Sequence, residues 1–199
     1  MTDLEHEIAE DCYLVDLFRN TGYQTICSYI EHNAKKFIDL INQLIVEGED
    51  LERLKYYNMA IVTFLCGIEL LIRFLLLKPL LGGMFLDEDW IFFIEENKLF
   101  CNRTDEEQNL LLKILKKYGL DIEKIEINES KKLWTELKII VKTRNNIVHN
   151  GLKALPEDVK KAFLCLESLI NYVLKPIYQK LKKNLGERLD NDILDGWKL

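Results

Sequence analysis

The sequence has little of what interrupts a helix, with three prolines and nine glycines in 199 residues. Proline lacks an N–H and clashes with the preceding turn, and glycine is costly inside helices, so long runs of Leu, Ile, Lys and Glu are left unbroken. No stretch alternates apolar and polar residues with the period of a strand. The five cysteines (Cys12, Cys27, Cys66, Cys101 and Cys165) are scattered, odd in number and without CxxC spacing. That pattern excludes a disulfide framework or a thiolate metal site, and reads as small buried hydrophobes in a reducing compartment. Clustered carboxylates and His/Cys ligand spacings are also missing, so neither metal nor cofactor is expected. The acidic start, Met1 to Asp11, lacks the basic-then-apolar order of a secretory leader, and a cytoplasmic protein is expected.

The one run with membrane-like hydropathy, Met59 to Leu81, is interrupted at helical spacing by Glu69, Arg73 and Lys78. In water Glu69 and Arg73 form an i,i+4 pair; in lipid each charge would be expensive. The run reads as a buried core helix, with no membrane partner.

What is present suits a globular chain, with 48% apolar and 30% charged residues. The net charge of −6 disguises an asymmetry, since residues 130 to 184 hold twelve Lys or Arg against four Asp or Glu. A basic segment on an acidic chain points to an anionic partner at that segment, although lysine-rich helix surfaces are also common.

Apolar periodicity predicts a first helix over Thr2 to Asn20, with Leu4, Ile8, Cys12, Val15 and Phe18 in register and Gly22 closing it. A second is predicted from Gln24 to Glu47, with Gly48 as its left-handed cap, and Asp50 opens a third over Leu51 to Lys78. This third helix is apolar nearly all round from Ile61 to Leu77, as expected at a bundle centre or against a second copy of the chain, and Pro79 stops it. Residues 84 to 102 (Met84, Phe85, Trp90, Phe92, Phe93, Phe100) read as an aromatic side insertion with a short helix. Thr104 and Glu107 form a capping-box signature, and Gly119 ends the helix that follows. The next helix starts near Glu129 or Ser130, with Leu133, Trp134, Leu137, Ile140, Val141 and Ile147 inward. Trp134 reads as core rather than as a base-stacking platform. Pro156 opens the last major helix, which buries Val159, Phe163, Leu166, Leu169, Ile170 and Val173 and is kinked by Pro176, before a polar tail with a lone Trp197. The expectation is one domain over 1–199, an all-α up-and-down bundle with its core at about 50–180 and an N-terminal helical extension over 1–49.

Where the 129–150 helix should end stand Arg144, Asn145, Asn146, Ile147, Val148 and His149, followed by Asn150 and Gly151. An arginine, an amide and an imidazole supply a phosphate-binding cation, a hydrogen-bonding orienter and a group that exchanges protons near neutral pH. The plainer reading is local: Asn150 and Gly151 cap a helix, and a cation or imidazole in the last turn meets the helix dipole favourably.

Arg144, polar Asn145, three intervening residues and His149, late in a helical chain, resemble the signature of the HEPN superfamily (higher eukaryotes and prokaryotes nucleotide-binding). The stretch Gly67, Ile68, Glu69, Leu70, Leu71, Ile72 and Arg73 is similar to the family's central helix, in which a glutamate interrupts an apolar run. The resemblance covers roughly residues 50 to 180. It implies a HEPN-like bundle and a metal-independent endoribonuclease of toxin–antitoxin or phage-defence type. That enzyme acts as a homodimer whose two motifs line one cleft, with an antitoxin or regulatory protein as a further partner. The family's non-cleaving members imply an alternative, a module that binds a nucleotide or a partner protein. A subgroup carries a tyrosine two residues after the histidine, where a nucleotidyltransferase modifies it; Gly151 stands there in this chain.

RNA brings its own nucleophile, so cleavage to a 2′,3′-cyclic phosphate and a 5′-hydroxyl needs a base, an acid and positive charge on the phosphate. Arg144, His149 and Asn145 are the candidate catalytic residues, with Glu69 and Asn146 supporting them and Lys138, Lys142 and Lys153 contacting RNA; DNA is not an expected partner. The other histidines, His6 and His32, have no partner motif. A two-histidine mechanism therefore draws His149 from a second copy. Arg144 and His149 stand about 140° apart on an ideal helix, so arginine's reach or a loosened last turn must close the gap. Glu69 orients Arg144 or His149, or else pairs with Arg73.

Overall fold

The computed structural model describes residues 3–83, 111–116, 118–127, 131–185, 195–197 and 199, with side chains for all of these except 3–21, 23 and 183–185. Helix α1 (Asp3–Arg53) is followed by α2 (Tyr57–Leu70), which continues through π-helical turns (Leu71–Leu77) into α3 (Lys78–Gly82). After a helical stretch over 111–116 and a 3₁₀ turn (Ile122–Lys124) comes an antiparallel hairpin, β1 (Glu126–Ile127) and β2 (Lys131–Lys132). Helix α4 (Leu133–Asn150) carries the motif, and α5 (Pro156–Leu169) runs through π-helical turns (Ile170–Leu174) into α6 (Lys175–Leu185). Among the described residues the regular structure is thus helical apart from this two-stranded hairpin, which leaves no sign in the sequence and which delays the start of α4 to Leu133. The aromatic stretch 84–102, the Thr104–Glu107 box and the inward stripe of Leu4 to Phe18 lie outside what is described.

Three of the expected breaks are absent, and each residue has another use. Gly22 lies inside α1, where a Cβ would stand 2.3 Å from the Gly83 carbonyl oxygen, so the glycine permits two helix backbones to touch. At Gly48 a Cβ would fall 2.4 Å from Cε1 of the buried Phe64 ring. The helix therefore runs on to Arg53, past Asp50, which pairs with Arg53 instead of opening the next helix. The reversal comes at Lys55 (φ 63), where the Tyr56 N–H reaches back to the Leu51 carbonyl, a lysine in a conformation that favours glycine.

Pro79 does not stop its helix. Its missing N–H would ordinarily serve the Leu75 carbonyl, and that oxygen instead accepts a 3.1 Å hydrogen bond from the buried Tyr178 hydroxyl. The wide turns before Pro79 keep the rod going, with the Lys78 N–H bonded to Arg73 O. Pro176 follows the same kind of turns in the parallel rod, and each proline sits in the same Leu-Lys-Pro order.

The core forms where these rods meet. The tilted Phe64 and Phe163 rings (5.5 Å), the Gly67 and Leu166 contact and the Leu75 and Tyr178 bond advance together along both rods, so α2 and α5 run parallel. Helices α1 and α4 run antiparallel to the α2 rod, since Gly48 meets Phe64 while Gly22 meets Gly83, and Asn58 meets Leu152 while Glu69 meets Arg144. The apolar rod Tyr57–Gly82 is long and apolar enough to cross a membrane by length and composition, and 56% of that window is buried inside the bundle. Asn42 donates a 2.7 Å hydrogen bond to the Gly196 carbonyl, tying the C-terminal tail to α1, with Trp197 packed on the core.

Candidate functional site

Leu133, Leu137, Ile140 and Ile147 are buried, which fixes how α4 is rolled against the bundle; Val141, expected inward, is exposed. This roll sets Arg144 on the flank of the buried stripe, facing α2. There Nη2 of Arg144 donates to Oε1 of Glu69, and Nη1 donates to Oδ1 of Asn145 at 2.9 Å. The Glu69 pairing with Arg73 is not formed. Arg73 instead lies over the Phe74 ring, 5.4 Å from its centroid, and its Nε is buried without a hydrogen-bond partner among the described residues. A half-buried ion pair between helices holds the arginine fork in one orientation, and at least two of its five N–H donors are engaged.

The helix stays regular through Asn150, so its last turn does not loosen to bring His149 toward Arg144. His149 is exposed in that turn, about 140° round from Arg144. Asn145 stands between them, bonded to Arg144 and one turn before His149 on the same face. The result is a polar arc across α4: Glu69, Arg144, Asn145, then His149. Lys138 and Lys142 continue the His149 face along α4, and Lys138 lies 5.6 Å from the Trp134 ring centroid. Trp134 itself is half-buried against the core. Asn146 supports the end of the helix, its Oδ1 accepting from Asn150 Nδ2 at 3.2 Å.

Gly151 terminates α4 in the left-handed region (φ 66), its N–H bonded to Ile147 O and the Leu152 N–H to Asn146 O. A side chain at this position would be strained by the backbone alone, since a Cβ built there meets nothing within 4 Å. Lys153 follows, exposed, in a loop held by a residue the sequence reading missed. Asn58, in the first turn of α2, donates from Nδ2 to the Leu152 carbonyl (3.3 Å) and accepts at Oδ1 from the Ala154 N–H (2.7 Å).

Cysteines differ in setting. Cys27 and Cys165 are buried, as expected, but Cys66 is exposed on α2, one turn before Glu69. Partial desolvation pushes the Cys66 thiol up, the Glu69 charge adds to this and the Arg144 charge opposes it. Cys165 is pushed up to about 12 by burial, with Glu136 adding to it. A groove of about 290 Å³ opens beside Cys165 between the hairpin, α4 and α5, lined by Lys131, Glu136, Lys160 and Lys161 among others, and none of the motif residues reaches it. Among the described residues no group of three or more His, Cys, Asp or Glu is placed to hold a metal ion. No protein-family model, curated protein or solved structure matches the chain.

Proposed function

We propose that this protein is a HEPN-type endoribonuclease that cuts RNA without a metal, working as a homodimer. The observation that carries this reading is the polar arc on α4, in which an arginine is fixed by a glutamate of α2 and hydrogen-bonded to an asparagine that stands one turn before an exposed imidazole on the same face. In the reaction the 2′-oxygen attacks phosphorus and the bond from phosphorus to the 5′-oxygen breaks. One imidazole removes the 2′-hydroxyl proton, a second protonates the departing 5′-oxygen, and the free N–H groups of Arg144 meet the phosphate oxygens. Two imidazoles require two copies of His149, one from each chain. The exposed Lys138, Lys142 and Lys153 give the strand its electrostatic track, which makes binding salt-dependent. A toxin or phage-defence role, with an antitoxin or regulator, is part of the same reading.

The pairing of Arg144 with Glu69 also favours a second reading, a module that binds a nucleotide or partner protein and cuts nothing, because a neutralised arginine is a weaker phosphate ligand. The two separate on one preparation. The nuclease reading expects purified protein to cut single-stranded RNA in EDTA, with Arg144→Ala and His149→Ala each abolishing cleavage while helical circular dichroism is kept. Nucleotide binding by calorimetry with no cleavage by the wild-type protein decides for the second.

A further inference from the structure

We infer that Asn58 is a positioning residue for the His149 end of the site. This inference rests on the nuclease reading for its catalytic consequence, though not for its geometry. The planar amide bonds the carbonyl of Leu152 and the N–H of Ala154, the two groups that flank Lys153. That is the pattern a neighbouring strand residue would make, one donor and one acceptor to positions two apart. Asn58 therefore pins the segment 152–154 to the first turn of α2 at both ends.

Two consequences follow for the site. The segment starts immediately after Gly151, so pinning it fixes the exit from α4 and limits fraying of the last turn that carries His149. The anchor belongs to α2, the helix that also provides Glu69. One rigid rod thus locates Arg144 through Glu69 and the His149 turn through Asn58, setting the distance between two groups that have no direct contact with each other. Lys153 is held by the same bonds, with its side chain exposed. Only an amide of this length provides both bonds: a carboxylate at Asn58 would lose the donor and face the Leu152 oxygen with charge, and alanine would lose both.

The test compares Asn58→Ala, Asn58→Asp and Asn58→Gln in the full chain. Three readouts are taken: hydrogen exchange of the Ala154 amide, the His149 ring resonances, and cleavage of an end-labelled single-stranded RNA of mixed sequence in EDTA. In Asn58→Ala the Ala154 amide loses protection and the His149 resonances move. The kcat falls about 10- to 100-fold, with a much smaller change in KM, as expected when a reacting group is displaced rather than removed. Relative to wild type at the same pH, Asn58→Asp recovers part of its cleavage at acid pH, where the protonated carboxyl regains a donor while the His149 imidazoles titrate alike in both proteins, and Asn58→Gln recovers part at all pH values. Unchanged kcat and unchanged His149 resonances in Asn58→Ala overturn the assignment, and if that variant does not fold, Asn58→Asp takes its place with the same criteria. Should the wild-type protein cut no RNA, the nuclease reading fails, and Asn58 is then judged on the His149 resonances alone.

Discussion

Replacing Glu69 by glutamine measures how firmly the central helix holds Arg144. The Arg144 and Glu69 side chains are 28% and 40% exposed, which places their pair between two regimes. An exposed pair contributes ~0.2–1 kcal/mol, whereas removing one partner of a buried pair costs ~3–5 kcal/mol because the other charge is stranded. With more than a quarter of Arg144 in solvent, the stranded guanidinium can hydrate, so the exposed regime governs. Glu69→Gln keeps an amide oxygen for the hydrogen bond and loses the charge, so its expected cost is about 1 kcal/mol, with a coupling to Arg144→Ala of about 0.5–1 kcal/mol. In a chain of this size that is ~2–4 °C in Tm. Urea unfolding of wild type, both single variants and the double variant gives the coupling, and repeating it in 1 M salt, where the screening length is about 3 Å, should reduce it. A coupling of zero at low salt, or a single-variant loss above ~3 kcal/mol, contradicts the half-buried pair. Because glutamine no longer competes with phosphate for the fork, RNA affinity of Glu69→Gln should rise.

Gly48→Ala sets a helix-propensity gain of about 1 kcal/mol against overpacking of ~1–3 kcal/mol on the immobile Phe64 ring, and a net loss is expected in urea unfolding; a more stable variant refutes that contact. Alkaline stability follows from Cys165, whose thiol loses its proton near 9.0 in the unfolded chain but only at about 12 when folded. Between those values the folded state binds more protons, so stability falls as pH rises, by about 1.4 kcal/mol per pH unit from this thiol. Burial raises Tyr178 as well, and it acts with the same sign at higher pH. Urea midpoints from pH 8.5 to about 11 check this, with Cys165→Ala expected to flatten the decline.

The inward faces of the helices were legible in the sequence because burial follows helical period: Leu133, Leu137, Ile140 and Ile147 on α4, and Val159, Leu166 and Leu169 on α5, are all buried. Three of the boundaries read at glycine and proline were not, although Pro156 does open α5. Gly22, Gly48 and Pro79 carry the same local signal as a helix end, and only the neighbours that close on them, Gly83, Phe64 and Tyr178, turn them into interior positions. Gly119, met only by the end of the flexible Lys180 side chain, and Gly151, which nothing approaches, behave as their local signal says, with φ of 76 and 66. At the site, Arg144, Asn145 and His149 were visible as a motif, and Arg144 was one of three partners the sequence left open for Glu69, beside His149 and Arg73. The i,i+4 spacing to Arg73 is a local cue, and it lost to a guanidinium brought in from 75 positions away. Asn58 left no trace in the sequence beyond a polar residue near a helix start, since its partners are backbone groups of a distant loop.

The central claim is that Arg144 and His149 together cut RNA by internal transesterification. It is tested most directly by incubating single-stranded RNA with wild type, Arg144→Ala and His149→Ala in EDTA and analysing the product ends. The expected result is wild-type fragments with 2′,3′-cyclic phosphate and 5′-hydroxyl ends, and no fragments from either variant. Fragments with 5′-phosphate ends, or cleavage that survives in both variants, contradict it.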